Sequence, residues 1–399
     1  MTATRTNAPA GRRASATGRS PDVSVKKIRQ PKAARQWRLT SSFALILGLV
    51  VVLTMLGLIM VLSASSVMAY QKYGSPWLFL KRQIVWAALG AGALIVGTLV
   101  PYQKWRRLAK PLMGLSILGL IVVLIPGVGI TVNGSSRWLG YGQLRVQPSE
   151  LAKLALLLYS ADLLARRSKL VGDVRLTLAP VLGMFGVAAL LMMKQPDLGT
   201  TIVTAAIVFS VLFVSGVPTG ALTLTGIVGF AATGVLSFSE KYRRDRMLSY
   251  LHPEKDAQKN GYQLVQSLVG VSSGGIFGVG LGNSRAKWGY LPHAHTDFIF
   301  AIIGEELGLV GASFVVGLFV AFGVLGVRTA LRAPDRFGML FAVGITAWVL
   351  VQAMVNIGAV IGVLPVTGIP LPFVSFGGSS LLVTMAATGM MLNVARQSR

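Results

Sequence analysis

No cysteine occurs anywhere in the chain, which excludes disulfides, thiolate metal sites and cysteine nucleophiles without fixing a compartment. Charge is scarce as well. Only 13% of the 399 residues are charged, 53% are hydrophobic and the mean hydropathy is +0.66, a balance that excludes a water-soluble globule and reads as a polytopic membrane protein. Acids are scarcest of all, 13 against 38 Lys and Arg, leaving a net charge of +25. The cations stand beside apolar spans, which is how topology is fixed in membranes, so the charge is not read as a nucleic-acid surface. No internal repeat is visible, which counts against the inverted-repeat transporter plan.

Residues 1–40 are polar and carry Arg12, Arg13, Lys26, Lys27, Arg29, Lys32, Arg35 and Arg38 against one acid, Asp22. The segment is expected to be a disordered basic cytoplasmic tail beside an anionic leaflet. A cleavable signal is not expected, because the next apolar run exceeds the ~7–15 residues a signal uses. Apolar spans follow at 42–64, 78–100, 108–126, 149–165, 176–193, 199–215, 217–237, 297–327, 337–363 and 377–395. With the tail inside, the basic loops at Lys104–Lys110, Arg166–Arg175 and Arg328–Arg336 also fall inside. The expected fold is therefore an all-α polytopic membrane protein of about ten transmembrane helices, with N- and C-termini cytoplasmic and a transmembrane domain over 41–396. Residues 238–296 form one large external loop between spans 7 and 8. Within it, Leu264–Leu281 is nearly long enough to cross but is rich in Ser and Gly, so it is read as a re-entrant or interfacial piece packed on protein.

Polar residues gather on the outer side. The first cluster runs from Asn133-Gly134-Ser135-Ser136-Arg137-Trp138 through Gln147-Pro148-Ser149-Glu150 to Lys153. Arg137 offers a planar fork suited to phosphate oxygens and Lys153 a point charge near the boundary, with snorkelling or a Glu150–Lys153 pair as the plain alternatives. The second cluster, Lys194-Gln195-Pro196-Asp197, reads as helix-breaking and N-capping. A third lies in the Pro- and Gly-rich segment Pro365–Ser380, which cannot be a continuous helix. In Leu291–Glu306 a polar loop turns into an apolar helix, with His293, His295 and Asp297 at every second position and Glu305 and Glu306 further in. Asp297 is open to three readings: a first-turn acid behind an N-cap at Thr296, a general base, or a ligand for a hard divalent cation such as Mg or Mn. His252, His293 and His295 share the loop, and a His-x-His pair is thin support for zinc. Gly304, Gly308 and Gly311 read as close-packing positions.

These motifs, with Gln195-Pro196-Asp197-Leu198-Gly199, Tyr262-Gln263, His295-Thr296-Asp297-Phe298-Ile299-Phe300, Gly304-Glu305-Glu306, Leu371-Pro372-Phe373 and Gly377-Gly378-Ser379-Ser380, resemble the SEDS family of bacterial cell-wall polymerases, its division branch more than its elongation branch. The resemblance covers about Ser41 to Arg396. It implies a peptidoglycan glycosyltransferase that polymerises lipid II at the outer face of the bacterial cytoplasmic membrane, at the division septum. Implied partners are a class B penicillin-binding protein, other divisome membrane proteins and membrane lipid; no organic cofactor is implied. The family's essential acid falls on Asp297, its arginine on Arg137 and its membrane lysine on Lys153. Substrate contacts are expected around Trp138, Gln147, Ser149, Glu150, Gln195, Asp197, Tyr262, Gln263, His295, Thr296, Ser379 and Ser380. Gly289 and His293 depart from the glutamates that similar members carry there. A lipid II flippase and a noncatalytic scaffold for the penicillin-binding protein are the competing readings.

Overall fold

The computed structural model describes residues 1–4, 41–132, 135–141, 144–239, 244, 250 and 261–398. The expected basic tail, Asn133, Gly134 and His252 lie outside the described residues. Helices occupy all ten sequence-predicted spans: α1 Ser41–Tyr73, α2 Leu78–Leu99, α3 Tyr102–Val122, α4 Pro148–Arg166, α5 Leu178–Lys194, α6 Leu198–Ser215, α7 Thr219–Ser239, α9 Ile299–Leu331, α10 Arg336–Val360 and α11 Gly378–Gln397, with a shorter α8, Tyr262–Ser273, before α9. Seven of them, α1, α2, α6, α7, α9, α10 and α11, are long and apolar enough to cross a membrane. The other three fall short for visible reasons. α5 is apolar but only 17 residues long. α3 carries Lys104, Arg106, Arg107 and Lys110, and α4 is so largely surrounded by protein that Glu150, Lys153 and Asp162 are buried along it.

The fold is the expected helical membrane bundle, with one addition: the α3–α4 connection folds into a small antiparallel sheet of β1 Ile130–Val132, β2 Ser135–Tyr141 and β3 Leu144–Val146, in the order β1-β2-β3. Connections outside lipid need not be helical, and this one has Ile130 opposite Trp138 and Leu139 opposite Val146.

The core is built on small-residue contacts. α11 lies against α2 so closely that a Cβ at Gly389 would meet the Leu94 carbonyl oxygen at 2.2 Å. α10 packs on α4, α6 and α9, which places its Gln352 and Asn356 inside the bundle.

α9 is not continuous. Gly308 has φ 66° and ψ −166°, which breaks the helix and frees backbone groups. The glycine-rich stretch after α8 satisfies them: Val279 N donates to Glu305 O at 3.0 Å, Gly280 N to Glu306 O at 3.1 Å, Leu309 N to Gly275 O at 2.9 Å and Val310 N to Ile276 O at 3.1 Å. This stretch is thus packed on protein, its irregular backbone paired with the break in α9.

Candidate functional site

Arg137 stands on β2, half-buried. Its Nε donates to the Gln195 carbonyl at 2.9 Å, and Nη2 donates to the Pro196 carbonyl. Two of the five donors of a guanidinium are thereby fixed on the α5–α6 turn, which aims the rest of the fork. Asp197 caps α6 by accepting from Thr200 N at 3.3 Å, as the N-cap reading predicts. Its other oxygen accepts from Gln147 Nε2 at 3.0 Å and Ser149 Oγ at 3.3 Å, so one carboxylate ties the start of α6 to the start of α4. Gln147 N in turn donates to Ser379 Oγ at 3.3 Å, linking α4 to α11.

Asp297 does not sit in the first turn of a helix behind an N-cap at Thr296. α9 begins at Ile299, and the preceding residues form a turn around His293. The His293 carbonyl accepts from Thr296 N at 3.0 Å, Thr296 Oγ1 at 3.1 Å and Phe298 N at 3.4 Å, while His293 itself has φ 59°. The N-cap position belongs to Phe298 instead, and the Thr296 hydroxyl donates backwards to His293. Asn356 Nδ2 holds the Asp297 carbonyl and the Ile369 carbonyl, both at 2.7 Å, and so joins the acid to the α10–α11 loop. Gly368, in that loop with φ 73°, lies beside the carboxylate: a Cβ there would be 3.5 Å from Asp297 Oδ2.

These pieces enclose one cavity of about 420 Å³. Its wall takes Arg137 and Trp138 from β2, Gln147 and Asp197 from the N-cap positions of α4 and α6, Glu150 from α4, Thr200 from α6, Gln263 from α8, His293, Thr296 and Asp297 from the turn before α9, and Ser380 from α11. The three polar clusters expected on one side of the bundle thus converge. The volume is that of a pocket for a ligand of modest size.

Other expected contacts lie behind the wall. Lys153, 1% exposed, is neither snorkelling nor at the cavity. Its Nζ lies 2.9 Å from Glu150 Oε1, donates to Gln352 Oε1 at 3.0 Å and sits 4.7 Å from the centre of the Trp348 ring. Glu150 therefore meets the cavity while Lys153 neutralises it from beneath. Gln195 is turned inward, donating to the Leu120 carbonyl at 3.2 Å. Ser149, Ser379 and Tyr262 also stand off the cavity wall. His295 is a packing residue, its ring 4.6 Å from that of Phe79 and 5.6 Å from that of Phe376. Burial, and then the neighbouring His293, push its imidazole down to about 4.

Among the described residues no three His, Asp or Glu side chains converge to hold a metal ion. The sequence reading also missed Gln352 and Asn356, whose signal was present as two amides one helical turn apart in an otherwise apolar span.

Fold and site together define a polytopic membrane protein with a polar, charge-lined ligand pocket built from the connections at one end of its bundle. The family model described as "Cell cycle protein" (FtsW/RodA/SpoVE) matches residues 43–399, and the chain belongs to that family, the SEDS family. It is 43% identical over 360 residues to "Stage V sporulation protein E" of Bacillus subtilis (strain 168), covering 90% of this chain and 98% of that one. It is 44% identical over 356 residues to "Probable peptidoglycan glycosyltransferase FtsW" of Mycobacterium tuberculosis (strain ATCC 25618 / H37Rv), covering 89% of this chain and 68% of that one. Among solved structures it resembles a chain from work on structural coordination of polymerization and crosslinking by a peptidoglycan synthase complex. There the TM-score is 0.72 at 32% identity, over 88% of this chain and 97% of that chain.

Proposed function

We propose that this protein is an inverting peptidoglycan glycosyltransferase that joins lipid II units at the outer face of the cytoplasmic membrane. The observation that carries the reading is the meeting of Asp297 and Arg137 in one cavity, in a chain whose relatives bear the name glycosyltransferase. Lipid II presents its sugar on an α-linked diphosphate, and a β-linked product requires one inversion. Asp297 takes the proton from the acceptor 4-hydroxyl as the new O–C1 bond forms. The C1–O bond to diphosphate breaks, and the leaving group departs with its electron pair against the free donors of Arg137. Lys153 acts on this site by holding Glu150, not by touching the diphosphate.

The proposal includes ten crossings with both ends inside, a class B penicillin-binding protein as the crosslinking partner, and a place at the division septum. The likeness to a chain of a peptidoglycan synthase complex supports the partner. Incubating the purified chain with lipid II in detergent tests the reaction: a ladder of glycan strands is expected, whereas bound but unjoined lipid would favour a flippase.

A further inference from the structure

Glu305 and Glu306 are the two carboxylates of the helix that follows Asp297, and neither lines the cavity. Both are buried, at 2% and 1% exposure, and both face the external loop that precedes the catalytic turn. Glu305 accepts from Ser284 Oγ at 2.5 Å, Arg285 N at 2.8 Å and Ala286 N at 3.3 Å, so three successive residues of the loop close around one carboxylate. Glu306 Oε1 accepts from Ser63 Oγ of α1 at 2.6 Å and from Ser284 N at 3.3 Å, and lies 3.5 Å from Lys287 Nζ. Lys287, 7% exposed, also donates to the Gly282 carbonyl. The loop then returns: Leu291 N donates to the Ala286 carbonyl at 3.0 Å, and the His293 turn delivers Asp297 to the start of α9.

The loop from Ser284 to Phe298 is therefore held at both ends by the same helix. Its far end is the beginning of α9, and its near end is clamped by side chains two turns further in. We infer that Glu305 and Glu306, with Lys287 and Ser63 as their partners, are positioning residues for the glycosyl transfer: they latch this loop so that the turn at His293 presents Asp297 to the acceptor hydroxyl. The inference rests on the reading of Asp297 as the base. A latch of this kind acts on the chemical step and not on lipid capture, because Arg137 and its supports on the α5–α6 turn lie outside the clamped loop.

The experiment combines kinetics with labelling. The parent has no cysteine, so Ala286→Cys, at a site 6% exposed, is a single reporter of whether the clamp is shut. Glu305→Gln and Glu306→Gln are each expected to lower kcat for lipid II polymerisation about tenfold or more while KM stays within about threefold. In the same backgrounds the reporter should react about tenfold faster with a soluble thiol reagent. Ser63→Ala removes one donor without changing charge and should move kcat and labelling in the same direction by a smaller factor, which keeps the test open if a carboxamide variant fails to fold. Unchanged kcat with faster labelling, unchanged labelling in folded Gln variants, or an unaltered Ser63→Ala enzyme would overturn the latch. Asp297→Asn separates the two claims. Full activity there defeats the base assignment, whereas an inactive Asp297→Asn beside fully active Gln variants defeats the latch alone.

Discussion

At the scale of single residues, the site owes its charge pattern to which groups are paired and which face the cavity. Lys153 and Glu150 form a buried pair, and removing one member of such a pair costs about 3–5 kcal/mol because the other charge is stranded. Lys153→Met should therefore lower the melting temperature sharply, and the double change Glu150→Gln with Lys153→Met should restore most of it. A lysine that served only to contact diphosphate would leave stability untouched when replaced. His295 gives a pH dependence of definite sign. Its folded value of about 4 lies below the ordinary 6.5, so the unfolded chain takes up a proton that the folded one refuses. Its contribution is complete above about 6.5 and is lost as pH falls toward 4, to a depth on the order of 3 kcal/mol. Melting followed from pH 7 to pH 4 should show a shallower decline in His295→Phe than in the parent. Arg137 and Asp297 could be picked out in the sequence because cations and acids at an outer boundary are rare. The Glu150–Lys153 pair was legible too, as two charges three apart on a helix, but its burial was not, since that depends on Gln352 and Trp348, about two hundred residues away in the chain.

At the scale of elements, the broken helix organises the catalytic edge. Gly308 combines a left-handed φ with a Cβ path that would end 2.3 Å from Gly278 N, and that neighbour is backbone and cannot swing aside. Gly308→Ala is expected to destabilise the protein by about 3 kcal/mol or more, read as a lowered melting temperature, because the strain and the clash add. Gly317, on the same helix, would meet nothing within 4 Å, and Gly317→Ala should be tolerated. The contrast shows what periodicity cannot supply. Hydropathy placed every apolar helix because the spans exceed twenty residues or nearly so. It could not tell a packing glycine from one that breaks the helix, and it left an N-cap at Thr296 open because the serine and threonine hydroxyls that cap helices look the same in sequence as those that bond backwards. The small sheet escaped for a related reason, as strands of three to seven residues carry too short an alternation to register.

At the scale of the whole molecule, the connections after α3, α5, α7 and α10 all reach one cavity, so these four share an end of the bundle. The proposed topology puts that end outside. An impermeant thiol reagent should label Tyr290→Cys in intact cells and Arg332→Cys only after permeabilisation, the reverse of what an inverted chain would give. In the proposed reaction Asp297 is the base that activates the acceptor sugar. The most direct measurement is the rate of lipid II polymerisation by purified, folded Asp297→Asn beside the parent. A loss of about 10²-fold or more is expected; a rate within about threefold of the parent would contradict the role of Asp297 as base.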